Sequence, residues 1–162
     1  MPSNPTHAEP VALVTGGARR IGAAIVRAMP NAPAAVGRGI TVAAANGQVT
    51  GQQKSRCDGL LGTVGDVVWI DDEGLMDAVT AVSGSGPAYV FLLAKCLAEA
   101  GREAGLPAEL SDQLARATVA GAGELLHQSG DSATRLRENV ASPGGTTAAA
   151  LEVLMGVDGW QA

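Results

Sequence analysis

Aromatic side chains are nearly missing from these 162 residues: Trp69, Trp160, Tyr89 and Phe91 make up the whole set, 2% of the chain. Large rings therefore cannot fill a core, and the 46% hydrophobic content, rich in Ala and Gly, has to pack through small side chains and closely approaching helices. Such packing often spans subunits. Basic charge is scarce as well. A net charge of −5, with no basic patch interleaved with aromatics, argues against a nucleic-acid surface and for a small-molecule or protein partner. The one positive region is local: residues 1–40 carry Arg19, Arg20, Arg27 and Arg38 against Glu9, a net +3 that leaves −8 for the remainder. Of the two cysteines, Cys57 and Cys96, neither has metal-type spacing or a nearby His, so both read as reduced structural thiols. His7 lies in a polar leader and His127 near a polar helix end, so both read as solvated side chains and not as catalytic ones. No apolar run approaches the ~20 residues that span a bilayer, and the Pro-rich start does not resemble a signal peptide. The expectation is a cytoplasmic protein without a membrane partner.

The length suits one domain, or two small lobes that share an interface. Residues 1–10 read as a disordered leader. Val11-Ala12-Leu13-Val14 is a short buried-strand pattern that runs into Thr15-Gly16-Gly17, and Ile21, Ile25 and Ala28 then recur at helical spacing, which predicts a β-loop-α unit with its helix over residues 20–28. A strand over residues 40–45, a polar helix over 51–61 and a strand over 67–70 complete an α/β fragment, residues 11–72. From Asp71 onward strand signals vanish. Leu75, Val79 and Val82 mark one helix, and Ser83-Gly84-Ser85-Gly86-Pro87 breaks it, with Pro87 in the first turn of a second helix that Gly105 and Pro107 close. Leu110, Leu114, Ala117, Gly121 and Leu125 form the stripe of a third. Residues 131–140 and 146–155 read as two more. Asp71-Asp72-Glu73 is read as the acidic first turn of a helix, and no metal site is expected.

Two segments carry chemistry. Thr15-Gly16-Gly17-Ala18-Arg19-Arg20-Ile21-Gly22 follows a strand, the setting in which glycines such as Gly16, Gly17 and Gly22 hold a dinucleotide pyrophosphate; Arg19 and Arg20 suit an adenosine 2′-phosphate and so favour NADP. A tight turn with surface arginines is the alternative. The segment resembles the TGxxxGxG motif of short-chain dehydrogenases, in the pteridine-reductase-like variant with Arg at the middle glycine. The Tyr-x-x-x-Lys pair of that family is absent: Tyr89 is the sole tyrosine, and Lys95 follows six residues later. The second segment is Ser142-Pro143-Gly144-Gly145-Thr146-Thr147, between two helices. Pro stops the first helix, paired glycines allow close backbone approach, and two hydroxyls open the next helix, the construction of a carboxylate-holding helix N-terminus.

Met29-Pro30-Asn31-Ala32-Pro33, Leu60-Leu61-Gly62-Thr63-Val64-Gly65-Asp66, Ser83-Gly84-Ser85-Gly86-Pro87-Ala88-Tyr89 and Asn139 to Ala148 occur in an order and wording that resemble the carboxyl-terminal part of pyrroline-5-carboxylate reductase over residues 27–160. The resemblance implies a Rossmann-like domain binding NADP or NAD, a helical domain that dimerises, and hydride transfer to the imine of 1-pyrroline-5-carboxylate to give L-proline. It further implies a substrate carboxylate on the backbone amides of Gly144 to Ala148, together with Ser142, Gly145 and Thr146. Thr147 lies near the pyrroline nitrogen as the catalytic hydroxyl, Ser83 and Ser85 help form the substrate pocket, and Met29, Pro30 and Asn31 lie on the nicotinamide side.

An iminium carbon is already electrophilic, so this reaction asks mainly for positioning, which fits the lack of a His or Cys constellation. The chain departs from the resembling family in its α/β part, where three or four strands stand in place of a six-stranded dinucleotide sheet. The expected fold is therefore an incomplete Rossmann-like lobe, residues 11–72, followed by an all-α helical dimerisation and substrate-binding domain, residues 73–162, clipped at its C-terminus. Two functions follow: an NAD(P)H-dependent reductase working as a homodimer or higher oligomer, or a non-catalytic helical dimerisation module with a vestigial cofactor lobe.

Overall fold

The computed structural model describes residues 11–15, 24–142, 144–157 and 159. The chain separates into two compact units that divide between Leu93 and Ala94.

The first unit is built on a four-stranded sheet in the order β1 (Val11–Thr15), β2 (Ala24–Pro30), β3 (Gly39–Ala45) and β4 (Gly65–Ile70). β1 runs parallel to β2, β2 antiparallel to β3, and β3 parallel to β4. The helix expected over residues 20–28 is corrected by β2. Within it Val26 and Ala28 are buried, while Ile25, Arg27 and Met29 on the alternating positions are partly exposed. That is a period of two with adjacent β-branched residues, and pairing on both sides outweighs the helical spacing of Ile21, Ile25 and Ala28.

β3 is buried along most of its length because both faces of the sheet are covered. On one face Val26, Ala43 and Cys57 pack with Ala45, Val49, Leu61 and Trp69. Cys57 comes from α1 (Gly51–Leu61), which opens with a reciprocal cap: Thr50 Oγ1 accepts from the Gln53 amide at 3.3 Å, and Gln53 Oε1 accepts from the Thr50 amide at 2.8 Å. Trp69 donates from Nε1 to Asp58 at 2.7 Å and carries Lys54 Nζ over its ring. On the other face Val42, Ala44 and Met76 pack with Met29, Ile70 and Val79. Met76 and Val79 belong to the short helix α2 (Met76–Val79).

Two glycines decide how β3 and β4 meet. Gly65 has φ +143°, and a Cβ there would clash with the Gly39 carbonyl, its register partner; a Cβ at Gly39 would stand 2.8 Å from Ala34 Cα.

After β4, Asp72 Oδ1 accepts from the Gly74 amide at 2.8 Å and starts a 3₁₀ turn, Glu73–Leu75. This bears out the reading of the acidic run as a helix start. The break expected at residues 83–87 is milder than a linker: α2 passes into a π-helical turn, Thr80–Gly84, and then into α3 (Gly86–Glu103). The helical path Glu73–Glu103 spans 31 residues with a best-window mean hydropathy of 1.3, long and apolar enough by length and composition to cross a membrane, yet only 6% of that window is buried. This corrects the expectation that no apolar run approaches that length: the small residues Ser83, Gly84, Ser85 and Gly86 leave the helical path continuous.

In the second unit, the end of α3 turns back through Gly105, at φ +94°, into α4 (Ala108–Gln128). Leu106 N donates to Gly101 O at 3.0 Å, and Arg102 Nη1 pairs with Asp112 Oδ1 at 2.6 Å. The face of α4 that is buried is Ser111 and Ala115, opposite Ala98 of α3 in size. The stripe Leu110, Leu114, Ala117, Gly121 and Leu125, expected where another backbone can come close, is exposed in the single chain. Small residues let the helices close on one another, so the leucines are left outside. Cys96 is likewise exposed, unlike Cys57. His127 lies in the last turn of α4. Two short helices follow, α5 (Ala133–Asn139), capped by Ser132 Oγ accepting from the Arg135 amide at 3.2 Å, and α6 (Thr146–Leu154).

Candidate functional site

The loop between α5 and α6 is a turn closed by Gly145 N donating to Ser142 O at 3.0 Å, with Gly144 at φ +70°. A Cβ on Gly145 would stand 2.5 Å from Ser142 Oγ and 3.2 Å from Ser142 O. Only glycine keeps this turn as tight as it is. Gly145 is also the N-cap of α6, and it offers no side-chain acceptor; no acidic residue lies in the first helical turn. The first intrahelical bond returned to the cap is Ala149 N to Gly145 O, at 3.3 Å. The amides of Thr146, Thr147 and Ala148 therefore stand at the helix start with neither a side-chain cap nor a negative charge in the first turn to answer them. Thr147 and Ala148 are half-buried, while Ser142, Gly144 and Thr146 are exposed. A negatively charged group of carboxylate size is what such a start attracts. The structure thus brings Ser142, Gly144, Gly145, Thr146, Thr147 and Ala148 into one turn; Pro143 lies outside the described residues.

A second group of expected residues lies in the first unit. Met29 and Pro30 end β2, and Asn31 follows with its Oδ1 accepting from the Ile40 amide at 3.0 Å and its carbonyl accepting from Ala34 N at 3.1 Å. Asn31 is thereby held by β3 through Oδ1 and by the following turn through its carbonyl, which leaves the side-chain NH₂ as the group available to donate. Met29 packs with Met76 and Val79, and the π turn Thr80–Gly84 lies beside β2. That turn is held by Thr80 Oγ1 donating to Met76 O at 2.8 Å and by Ser85 N donating to Thr80 O at 2.8 Å. Within it the Ser83 hydroxyl is buried without a hydrogen-bond partner. π turns occur frequently at functional sites, and a buried hydroxyl without a partner calls for a reason. Met29, Pro30, Asn31, Ser83 and Ser85 therefore belong to one compact unit. Gly16, Gly17, Arg19, Arg20 and Gly22 lie outside the described residues, although β1, the strand that leads into them, is present.

Sequence reasoning missed the tie that braces this second group. Arg27 Nη1 pairs with Glu73 Oε1 at 3.0 Å, joining the middle of β2 to the turn that starts α2. No local pattern links two residues so far apart in sequence. On the other face of the sheet, burial, and secondarily the charge of Asp58, pushes the Cys57 thiol above its ordinary range. Among the described residues no group of three His, Cys, Asp or Glu side chains is arranged to hold a metal ion.

The dimerisation-domain model of pyrroline-5-carboxylate reductase matches residues 73–160. A pyrroline-5-carboxylate reductase from Synechocystis is 48% identical over 131 residues, which cover 81% of this chain and 49% of the relative. The solved structure of a pyrroline-5-carboxylate reductase from Coxiella burnetii superposes with a TM-score of 0.77 at 42% identity, covering 82% of this chain and 49% of that one. The crystal structure of a Plasmodium falciparum pyrroline carboxylate reductase with NADP bound gives a TM-score of 0.73 at 38% identity, over 82% of this chain and 53% of the other. The chain spans about half the length of the curated relatives it matches.

Proposed function

The chain belongs to the pyrroline-5-carboxylate reductase family, and from that premise we propose that it binds 1-pyrroline-5-carboxylate and, with NADPH or NADH, reduces it to L-proline as a homodimer or higher homo-oligomer. The observation that carries this reading is the uncapped start of α6, where the Thr146, Thr147 and Ala148 amides await an anion. In the proposed complex these amides hold the substrate carboxylate. Ser142, Gly144 and Gly145 shape the turn that presents them. The half-buried Thr147 hydroxyl hydrogen-bonds the pyrroline nitrogen, which keeps that nitrogen engaged while the neighbouring carbon accepts hydride. Ser83 and Ser85 are assigned to the substrate as well.

For the cofactor, the side-chain NH₂ of Asn31 fits a polar ring substituent, with Met29 and Pro30 supplying apolar contact. Gly16, Gly17 and Gly22 are assigned to its pyrophosphate, and Arg19 and Arg20 to a 2′-phosphate. The cofactor supplies the hydride. The exposed apolar residues of the helical path, Tyr89, Phe91 and Leu92 among them, are assigned to the surface that a second copy covers, as the matched dimerisation model supports.

A second reading, a non-catalytic helical dimerisation module with a vestigial cofactor lobe, is favoured by the sheet itself: four strands with an antiparallel pair, against the larger parallel sheet of dinucleotide-binding folds. The experiment that separates the two follows NADPH absorbance when pyrroline-5-carboxylate is added to purified chain whose oligomeric state has been set by light scattering. Turnover supports the reductase. Absence of turnover by a pure oligomer across a pH series, together with no binding of NADPH or NADH at micromolar concentration, overturns it in favour of the module.

A further inference from the structure

The turn that leaves β3 for α1 begins at Asn46, the one place in the chain where Asn precedes Gly. Asn46 carries the β2–β3 ladder one residue past its end pair, Val26 and Ala45. Its amide donates to the Ile25 carbonyl at 3.0 Å, but the acceptor it returns to the Ile25 amide is its side chain, Oδ1, at 3.2 Å. Its main-chain carbonyl accepts instead from Val49 N at 3.1 Å and closes the turn. Oδ1 accepts a second amide, Gln48 N, at 3.3 Å. A bond from an Asn side chain to the amide two residues on folds the side-chain carbonyl back over the intervening peptide, here the one that joins Asn46 to Gly47. Asn46, Gly47 and Gln48 are all exposed, and a Cβ built on Gly47 would meet nothing within 4 Å.

We propose that Asn46 is a site of covalent self-modification, where the side-chain amide is converted to aspartate and isoaspartate through a cyclic imide formed with the Gly47 nitrogen. That nitrogen, once its proton has gone to solvent hydroxide, bonds to Cγ of Asn46, and the negative charge gathers on Oδ1. The charge is what the turn is arranged to meet. The Ile25 and Gln48 amides already point at Oδ1, as the donors of an oxyanion hole do. Both bonds are at the long end of the hydrogen-bond range, and bonds to an ionised oxygen are shorter and stronger than bonds to a neutral one, so both tighten as the charge develops. The Cγ–Nδ2 bond then breaks, and the nitrogen leaves as ammonia with a proton from solvent. One water reopens the imide. Cleavage at Cγ gives aspartate, which keeps an acceptor for Ile25 N; cleavage at the main-chain carbonyl gives isoaspartate, which carries the chain through Cβ and Cγ and lengthens the turn by one carbon. Glycine at position 47 leaves the attacking nitrogen without a side chain beside it. The site shares no residue with the segments assigned to substrate and cofactor and does not depend on the reductase reading.

The test holds the full chain in mildly alkaline buffer at physiological temperature and follows it by peptide mass spectrometry that separates aspartate from isoaspartate, with released ammonia measured alongside. Conversion is expected at Asn46 and not at Asn31 or Asn139, which precede Ala32 and Val140. Gly47→Ala fits the turn, since its Cβ has open space and no left-handed φ is required, and should slow the conversion about 10-fold or more by crowding the nitrogen. The same chain unfolded in guanidinium provides the reference. Conversion of the native chain at least as fast as the unfolded one supports the proposal. Conversion confined to the unfolded chain means that the fold protects Asn46 and overturns it, as does an unchanged rate in Gly47→Ala or no conversion in either state.

Discussion

Three glycine-to-alanine substitutions in the first unit separate the effects that a methyl group has on this backbone, and their order is fixed by the structure. Gly59 lies on the exposed side of α1 with nothing within 4 Å of a built Cβ. Alanine there should stabilise by about 0.5–1 kcal/mol, because glycine gives up more chain entropy in a helix. Gly37 has equal room but φ +70°, so its alanine variant should lose about 1 kcal/mol to left-handed strain alone. Gly65 combines φ +143° with a built Cβ that clashes with the Gly39 carbonyl and lies 2.6 Å from Gly39 N. Both obstructing atoms are backbone, so no side chain can rotate away. The conformation alone costs about 1–3 kcal/mol, and relief of the clash requires β3 and β4 to part at their first register pair, Gly39 and Gly65. The expected loss for Gly65→Ala is about 3 kcal/mol or more, a large share of an ordinary domain stability of about 5–15 kcal/mol. With a slope of about 1–3 kcal/mol/M, the urea midpoint should fall by about 1 M or more. Trp69, on β4, provides a fluorescence readout beside far-UV circular dichroism. A Gly65→Ala midpoint no lower than that of Gly37→Ala would refute the reasoning, since it would mean that the glycine pair is not what lets the strands close.

Met76→Ala removes the largest fully buried side chain of the sheet's second face and should cost about 2–5 kcal/mol, measured by the same denaturation; a loss under 1 kcal/mol would show that α2 does not anchor that face. Because the folded Cys57 thiol is raised above its unfolded value, its contribution is full below the unfolded thiol range and is lost as pH rises through the folded value. Stability of the first unit should therefore decline on the alkaline side of about pH 8.5, and Cys57→Ala should flatten that decline; identical slopes would remove the burial argument. Gly145→Ala drives a methyl group into Ser142 Oγ and should weaken pyrroline-5-carboxylate binding about 10- to 100-fold through displaced amides, with partial recovery in a Ser142→Ala background; an unchanged KM would detach the turn from the substrate. Thr147→Val should lower kcat more than it raises KM, and the opposite split would make the hydroxyl a binding group only.

Local signals in the sequence were read correctly where their physics is local. The polar helix expected over residues 51–61 is α1, and the reciprocal Thr50–Gln53 cap that starts it needs only four residues. Gly105 and Pro107 turn α3 into α4, and the α6 start keeps its amides bare because Gly145 carries no acceptor. What the sequence hid depends on partners far along the chain. β2 reads as helix until β1 and β3 stand on either side of it. Gly39 and Gly65 are ordinary loop glycines in sequence, and only the parallel register makes each necessary to the other. Met76 sits one place from the expected apolar stripe of Leu75, Val79 and Val82, because a 3₁₀ turn and a π turn on either side of α2 rotate the buried face. The loops at residues 29–31 and 144–148 are legible as loops for the same reason as the caps, since each is shaped by residues close to it in sequence.

The helical region also inverts the usual rule of burial, and this ties its stability to association. Ala98, Ser111 and Ala115 are the side chains it buries, while Phe91 is 65% exposed, Leu92 57% and Leu125 54%. Burying one Leu or Phe contributes about 1.5–3 kcal/mol, and an alanine methyl contributes far less. A few of these large side chains covered by a second copy therefore outweigh every small contact made within α3 and α4. The scarcity of aromatics leads to the same point, since the one Phe and the one Tyr of the chain are both exposed on α3, where only another surface can use them. In the proposed oligomer, folding of the helices and association are then one equilibrium, so the midpoint of their thermal unfolding rises with protein concentration while that of the sheet, packed on both faces by its own chain, does not.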